Sequence, residues 1–494
     1  MFKKVIAFLC ALSILLVTVA GCATQKQEGK KQEPAKEQKA DEAYKGKQMT
    51  IYIRMMDMQD KWFRENIIVP FEKKYGVKIT VNTFEKEADL KNILELDKDK
   101  KTIGLVKTPH MMLNPLVKYG LMASLEEAAG DKVKEDLKEY TEQSLELATI
   151  DGKVYYIPRK LETNTLLFLK SKVKDAVDNW EKMKEPINEM FKKENGVGLP
   201  ADYKLEADPN EWDWFDLAVV GYYWANTEYD GKKEPRIAHR AKKYEGTTVE
   251  MLTKIYQMGG KPEDVLKMNT QLVKDMFGWE VFFKKNNLYN PAMWEEAWSG
   301  GGIWNAMAAG KVYLAFMHQI DAFFIHGGTN PEMTGYLANP DDMGVAIMPK
   351  GVSLEMKDGK PVREGEHASQ MAGWWWGIPK ASPDMKLSYE LARWITNKEN
   401  HKKEVETFGM MPVRKDMMEN VKTTFSEPWM QEVFDVAAKQ SKAGMYPAPQ
   451  VQQWPAISNL YLEAWYDIVV GDNNKDIGKV LDSTYAPKAA EALK

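Results

Sequence analysis

The stretch MTIYIRMMDMQDKWFRENIIVPFEKKYGVKITVNT, Met49 to Thr83, decides the fold. Met49 to Ile53 is a short β-rich run, and a polar loop from Met56 to Asp60 ends it. Trp62, Phe63, Ile67, Ile68 and Phe71 then recur on one side of a helical pattern, which runs into Tyr75 and Gly76. A second β-rich run, Lys78 to Thr83, follows. Strand, helix, strand is the unit from which parallel sheets are made. Thr102 to Val106 reads as a further strand ending in Lys107, Thr108, Pro109 and His110, and a helix is predicted from Met111 to Tyr119. Ligands of such sheets sit beyond the carboxyl ends of the strands, so the polar loops after these strands are candidate contact loops.

The chain has 494 residues, room for two large lobes or about three small domains. With 44% hydrophobic and 28% charged residues it is composed like a soluble globular protein, neither disordered throughout nor polytopic in a membrane. Its 16 Trp, 21 Tyr and 17 Phe exceed what core packing alone asks for, because a buried indole needs a partner for its N–H.

The amino terminus reads as an export signal: Lys3 and Lys4, an apolar run from Val5 to Val19, then Ala20, Gly21 and Cys22. Val19-Ala20-Gly21-Cys22 resembles the lipobox of bacterial lipoproteins, which implies lipidation of Cys22 and loss of a signal peptide spanning 1–21. The only other cysteine, Cys10, lies in that leader, so no disulfide is expected in the mature fold. Residues 22–48 lack apolar periodicity and read as a flexible tether to the membrane. Setting aside the two positive charges of the leader and the tether's surplus of two, the formal net charge of −4 becomes −8 on the body. An acidic, exported body argues against nucleic acid as a partner.

Beyond this point the chain resembles the family 1 extracellular solute-binding proteins of ABC importers, to which maltose-binding proteins belong. FEKKYGVKITV (Phe71 to Val81), NPLVKYGLMASLEE (Asn114 to Glu127) and DGKVYYIPRKLETNTLLFLKSKV (Asp151 to Val173) carry the resemblance in the first half. AAGKVYLAFMH (Ala308 to His318), MGVAIMPKG (Met343 to Gly351), AGWWWGIPKAS (Ala372 to Ser382), a helix from Leu387 to Thr396 and GMMPVRKD (Gly409 to Asp416) follow in the family's order. The resemblance implies an α/β protein with a two-lobed periplasmic-binding-protein fold, each lobe a mixed sheet flanked by helices, joined by a multi-crossing hinge. It places 49–161 plus 350–412 in the amino-terminal lobe and 162–349 plus 413–494 in the carboxy-terminal lobe, with crossings near Glu162 to Thr165, Pro349 and Pro412. Two features depart from the family: a Trp- and Tyr-rich stretch from Asp208 to Glu245, and Gly300-Gly301-Gly302, read as a flexible turn interrupting a helix.

A site of this kind recognises its solute without transforming it, and a sugar would ask for indole faces beside convergent hydrogen-bonding groups. The candidate indoles are Trp212, Trp214, Trp374, Trp375 and Trp454, with Trp374 and Trp375 chosen from the family's habit. Alternation along a strand keeps Trp375 off the face of Trp374 and Trp376, so at least one of the three is expected to be structural. Glu162 falls where the maltose-binding pattern has a hydroxyl-binding Glu, with a hinge salt bridge as its other reading. Asn164 lies in the same polar stretch. Asp57 and Asp60 are ligand contacts or loop charges and helix caps. His110 and His318 are ligand donors or satisfied interior residues, and Gln319 follows His318 at the end of its strand.

No HExxH pair, EF-hand loop, P-loop or Gly-x-Ser-x-Gly elbow occurs, and no cofactor or metal is expected. The expectation is a monomeric, lipid-anchored protein on the outer face of the cytoplasmic membrane that captures a carbohydrate and hands it to permease subunits. A peptide, polyamine or aromatic solute stays open as the ligand, and so does a lipoprotein glycoside hydrolase, whose paired carboxylates a sequence does not measure.

Overall fold

The computed structural model describes residues 43–87, 89–327 and 337–494. The leader, the lipobox and Cys22 lie outside the described residues.

Nine strands form one mixed sheet: β1 (Gln48–Ile53), β2 (Lys78–Thr83), β3 (Ile103–Pro109), β4 (Tyr156–Leu169), β5 (Ile237–Ala238), β6 (Leu314–His318), β7 (Met343–Ala346), β8 (Ser369–Gly377) and β9 (Met445–Pro447). Their order is β2-β1-β3-β8-β4-β6-β5, with β9 beside β8 and β7 beside β4. β1 is parallel to β2 and β3, as the strand, helix, strand unit predicts, whereas β8 runs antiparallel to both β3 and β4. The helices that position the site are α1 (Asp57–Phe63), α2 (Val69–Tyr75), α3 (Leu113–Lys118), α4 (Trp214–Asn226), α5 (Glu245–Gln257), α6 (Gln271–Lys285), α7 (Gly300–Ala308), α8 (Asp321–His326), α9 (Met385–Ile395), α10 (Lys398–Phe408), α11 (Pro428–Ala443) and α12 (Trp454–Trp465).

Local chemistry sets these elements. Met49, Ile51 and Ile53 alternate inward along β1, while β3, covered on both sides, is buried throughout, as central parallel strands are. Gly76 ends α2 in the left-handed region at φ 63°, where a glycine carries no Cβ penalty.

Two hydrophobic cores make two lobes. The first gathers Met49 to Leu161 and takes up Met371 to Ile395, Met411, Val413, Ala437 and Met445 later in the chain. The second gathers Leu166 to Val352, then Ala368, Val405 to Met410 and, apart from Ala437 and Met445, Val421 to Ala489. β4 runs from one core into the other without a break, its first half paired to β8 and its second half to β6 and β7. The return to the first lobe differs from the expectation of a crossing at Pro349. Val352 and Ala368 pack in the second core, because Gly351 and Gly365 press against the backbone of Gln257 in α5, where any Cβ would sit 2.0 Å from the Gln257 carbonyl oxygen. The chain re-enters the first core only at Met371, on β8.

The end of the expected tether also differs. Gly46 N–H donates to the Gly76 carbonyl at 2.8 Å, Lys78 N–H donates to the Lys47 carbonyl at 2.9 Å, and Lys47 pairs with Asp384 at 2.6 Å. Tyr44 packs edge-on against Tyr75. The folded body therefore starts ahead of β1. The triple glycine opens a helix rather than interrupting one: it is the first turn of α7, where Gly302 leaves room for Trp298, which a Cβ would approach to 2.8 Å.

Candidate functional site

The carboxyl end of β3, the middle of β4, the start of β8 and the carboxyl end of β6 meet where the two cores adjoin, and each brings polar side chains. From β3 come Lys107, Thr108 and, one residue on, His110, all buried. From β4 come Arg159, Lys160, Glu162, Thr163 and Asn164, and from β8 come Gln370 and Trp374. His318 and Gln319 close β6, Asp321 opens α8, and Arg240, Glu250 of α5 and Trp304 of α7 complete the second-lobe side.

Most of these groups are held by one another. Arg240 donates to Glu250 Oε1 at 3.0 Å and to Asp321 Oδ2 at 2.7 Å. Asn164 Nδ2 donates to Glu250 Oε2 at 2.6 Å, and Trp304 Nε1 donates to Asp321 Oδ1 at 3.1 Å. Lys160 is ion-paired to Glu162, and Arg159 to Glu404 of α10. Gln370 Nε2 lies 3.3 Å from His318 Nε2, so the imidazole nitrogen accepts and the ring is neutral. Among the side chains of the site named above, five buried atoms have no hydrogen-bond partner among the described residues: Thr108 Oγ1, His110 Nε2, Arg159 Nε, Gln370 Oε1 and Glu404 Oε2. Lys107 donates to the Arg54 carbonyl and holds its Nζ 4.1 Å from the centre of the Trp374 ring.

The electrostatics follow from burial and pairing. Burial would raise the Glu162 carboxyl, but Lys160, His318 and Lys107 outweigh it and bring it down to about 2. Burial lowers His110 to about 4 against the pull of Glu162, and lowers His318 to about 3 with help from Arg240. Burial pushes Glu250 up to about 7 despite Arg240 and Lys254. Lys107 falls well below the ordinary lysine value, chiefly by burial and then by Arg159 and Lys160.

Of the residues expected from the sequence, Glu162, His110 and His318 come together here, joined by Asn164 and Trp374. Glu162 makes a salt bridge, with Lys160 on its own strand, so the ion-pair alternative describes its present contact. Gln319 is buried with both ends of its amide engaged: Oε1 accepts from Thr163 N–H at 3.0 Å, and Nε2 is 3.5 Å from the Gly409 carbonyl. It ties crossing segments together instead of facing a ligand. Asp60 is held by Arg64 at 2.8 Å, one helical turn on, and Asp57 is exposed in the first turn of α1.

Four of the five indoles are corrected. Trp212 is buried with its N–H donated to the Glu206 carbonyl, and Trp214 is enclosed by Trp279, Phe283 and Phe316 with ring centres 5.6 to 5.8 Å away. Trp454 is buried in the second core with its N–H on Glu245 Oε1 at 3.0 Å. Trp375 is buried in the first core and donates to the Ser144 carbonyl at 2.9 Å. Trp376 is in that core too, stacked on Phe63; it lies opposite Lys107, whose Nζ lies over Trp374, so Trp374 and Trp376 share a face and Trp375 takes the other. The pairing of β8 with β4 shifts register between Trp374 and Trp375, opposite Lys160 and Pro158, and leaves Arg159 as the extra residue of a bulge. Trp374 alone of the three is half-exposed.

Sequence reasoning missed Gln370, Arg240, Asp321 and Trp304. Trp304 is half-exposed, with its ring stacked on Phe324 at 4.3 Å. The single available signal was the triple glycine beside it, since a Cβ on Gly300 would come 3.4 Å from its ring. A cavity of about 640 Å³ lies elsewhere on the hinge, between Thr141, Leu161, Pro412 and Ser441, and contains none of the site's charged groups.

Among the described residues no helix is long and apolar enough to cross a membrane. No curated protein sequence matches the chain. Solved structures similar to it include maltose-bound MalE3 of T. maritima (14% identity, 90% of this chain and 99% of that one, TM-score 0.66). A solute-binding protein of an ABC transporter from Thermotoga lettingae with α-D-tagatose is 20% identical over 91% of this chain and all of the other, with TM-score 0.64. One from Agrobacterium radiobacter with ribitol is 17% identical over 91% and 98%, with TM-score 0.62. Residues 66–432 match the family model described as bacterial extracellular solute-binding protein, and with the two-lobed fold around a polar crossing this places the chain in that family.

Proposed function

We propose that the protein captures a carbohydrate between its lobes and delivers it to the permease of an ABC importer, without turning it over. The observation that carries this is the pair of buried, unspent hydrogen-bonding atoms at the crossing, His110 Nε2 and Gln370 Oε1, together with the half-exposed rings of Trp374 and Trp304. Sugar hydroxyls both donate and accept, so they suit such a mixed set, and C–H faces lie against indoles. The carboxylates at the crossing, Glu162, Glu404, Glu250 and Asp321, are engaged by Lys160, Arg159 and Arg240. That pairing disfavours a polyamine or a peptide amino group, which would need a carboxylate of its own. The solved relatives named above hold maltose, tagatose and ribitol, in line with a sugar or polyol.

Glu162, held at about 2, does not suit the general acid of a hydrolase, and Glu250, raised to about 7, has Oε1 taken by Arg240 and Oε2 by Asn164. In this reading 49–161 with the β8 and α9 return forms one lobe and 166–368 with the carboxy-terminal helices forms the other, while Cys22 anchors the monomer to the membrane. The test is thermal stabilisation by a panel of mono- and oligosaccharides, with chromatography of the incubated sugars. A ligand at 100 times its Kd adds about 2.7 kcal/mol. Stabilisation without product supports the proposal; product release, or stabilisation only by peptides or amines, overturns it.

A further inference from the structure

We infer that the captured sugar carries a carboxylate and that Lys107 is the side chain that reads it. This rests on the carbohydrate reading and narrows it to acidic sugars such as uronate-containing disaccharides.

Four cationic side chains are buried at the crossing: Lys107, Arg159, Lys160 and Arg240. Three of them have carboxylate partners within the protein. Lys107 is 2% exposed and is joined to no carboxylate by an ion pair among the described residues. Its contacts are the Arg54 carbonyl and the face of Trp374. An ammonium has three N–H donors, and one carbonyl fills one of them; a ring face compensates a desolvated cation only in part. Burying a charge without a counter-ion is costly enough that the group either loses its proton or acquires a partner. The carboxylates whose charge acts on it, Glu404 and Glu162, are committed to Arg159 and Lys160.

Just past the same strand end His110 Nε2 is buried and without a partner, and both it and Lys107 feel the charge of Glu162. The neutral imidazole donates a hydrogen bond in the tautomer with its proton on Nε2. Two unspent donor groups, one of them a cation, call for an acceptor that brings negative charge. A sugar carboxylate is acceptor-only, with about four lone-pair sites on two oxygens. A neutral sugar would satisfy the imidazole but leave the ammonium without a counter-charge. Burial and the charges of Arg159 and Lys160 depress the lysine, and an anion beside Nζ would raise it again.

The experiment compares sugars that differ only in oxidation at C6: α-1,4-digalacturonate against α-1,4-galactobiose, and glucuronyl-α-1,2-xylose against glucosyl-α-1,2-xylose. Calorimetric Kd values are measured on the mature protein at physiological salt. At least one acid is expected to bind tenfold or more tightly than its neutral twin, and Lys107→Met is expected to abolish that preference while Lys107→Arg keeps part of it. The wild-type comparison stands by itself if Lys107→Met melts too low to use. If neutral sugars bind and their acidic twins bind equally or more weakly, the inference fails and the carbohydrate reading survives. If Lys107→Met keeps the full preference, Lys107 is not the reader and the inference fails. If neither kind of sugar binds or stabilises the protein, the carbohydrate reading fails and takes this one with it.

Discussion

Two buried polar clusters lie in this molecule, and they differ in completeness. Deep in the second core, Glu280 of α6 accepts from Lys254 at 2.6 Å, from Tyr289 OH at 2.7 Å and from Trp465 Nε1 at 2.7 Å, with His239 Nε2 3.4 Å away. Both carboxylate oxygens are occupied, and although burial opposes ionisation, Lys254 and His239 hold Glu280 far below the usual carboxylate range. At the lobe crossing the groups are as buried, yet Thr108, His110 and Gln370 keep unspent atoms and Lys107 lacks a counter-ion. The Glu280 cluster leaves one atom, His239 Nε2, without a hydrogen bond, whereas the crossing leaves several from separate segments, which marks the crossing as where something else is to bind.

Removing a member of the Glu280 cluster should cost the most. Glu280→Gln strands Lys254 in the core, and losing one partner of a buried pair costs about 3–5 kcal/mol. Trp214→Ala should cost a similar amount, about 3–5 kcal/mol, through the cavity it leaves. Urea unfolding should show both losses with the ligand Kd unchanged. A shift in Kd with intact stability would break the comparison.

Acid sharpens it. The His110 imidazole sits at about 4 in the fold and at about 6.5 when unfolded, so the unfolded state binds its proton first. Its contribution is complete above pH 6.5 and drains away as the pH falls through 4, by on the order of 3 kcal/mol. Glu162, depressed from 4.5 to about 2, adds a second loss in the lower window between those values. The urea midpoint against pH should fall across both windows; His318 and His401, each lowered to about 3 chiefly by burial, share the upper one, so His110→Gln should reduce its slope without removing it. An unchanged slope in that variant would place the acid sensitivity elsewhere.

Trp374→Ala should act on binding instead. An aromatic anchor in a site costs about 2 kcal/mol on truncation, roughly thirtyfold in Kd, with the ligand-free melting temperature moving little. A drop in melting temperature with Kd within twofold would return Trp374 to the core. The smallest effect belongs to the amino-terminal edge. A chain beginning at Met49 loses the contacts of Tyr44, Gly46 and Lys47 and should be less stable by about 1 kcal/mol than one beginning at Ala43, with equal affinity.

The fold was legible because its signals are local. The strand, helix, strand opening and the ordered motifs need only short windows, and Lys78 to Thr83 matches the observed strand residue for residue. The site was legible where polar residues end strands, as with His110, Glu162 and His318. It was illegible where partners come from far along the chain: Arg240 meets Asp321 across 81 residues, and Gln370 meets His318 across 52. The indoles misled because a core tryptophan and a stacking tryptophan read alike. What separates them is enclosure of the ring: Trp212, Trp214, Trp375 and Trp454 are packed within a core, whereas Trp374 and Trp304 keep part of their rings exposed, and only folding decides which.

β4 has a mechanical consequence. It is a single strand of 14 residues, about 46 Å long at 3.3 Å per residue, with ladder partners on both halves. A hinge made of such a beam resists stretching and sharp folding but accepts torsion. The lobes should accordingly turn about its axis like the ends of a wrung cloth, and tension applied along it would load its hydrogen bonds in shear, many at once. The slack for that turning is concentrated at one place, the register shift beside Arg159, where the ladder is already interrupted.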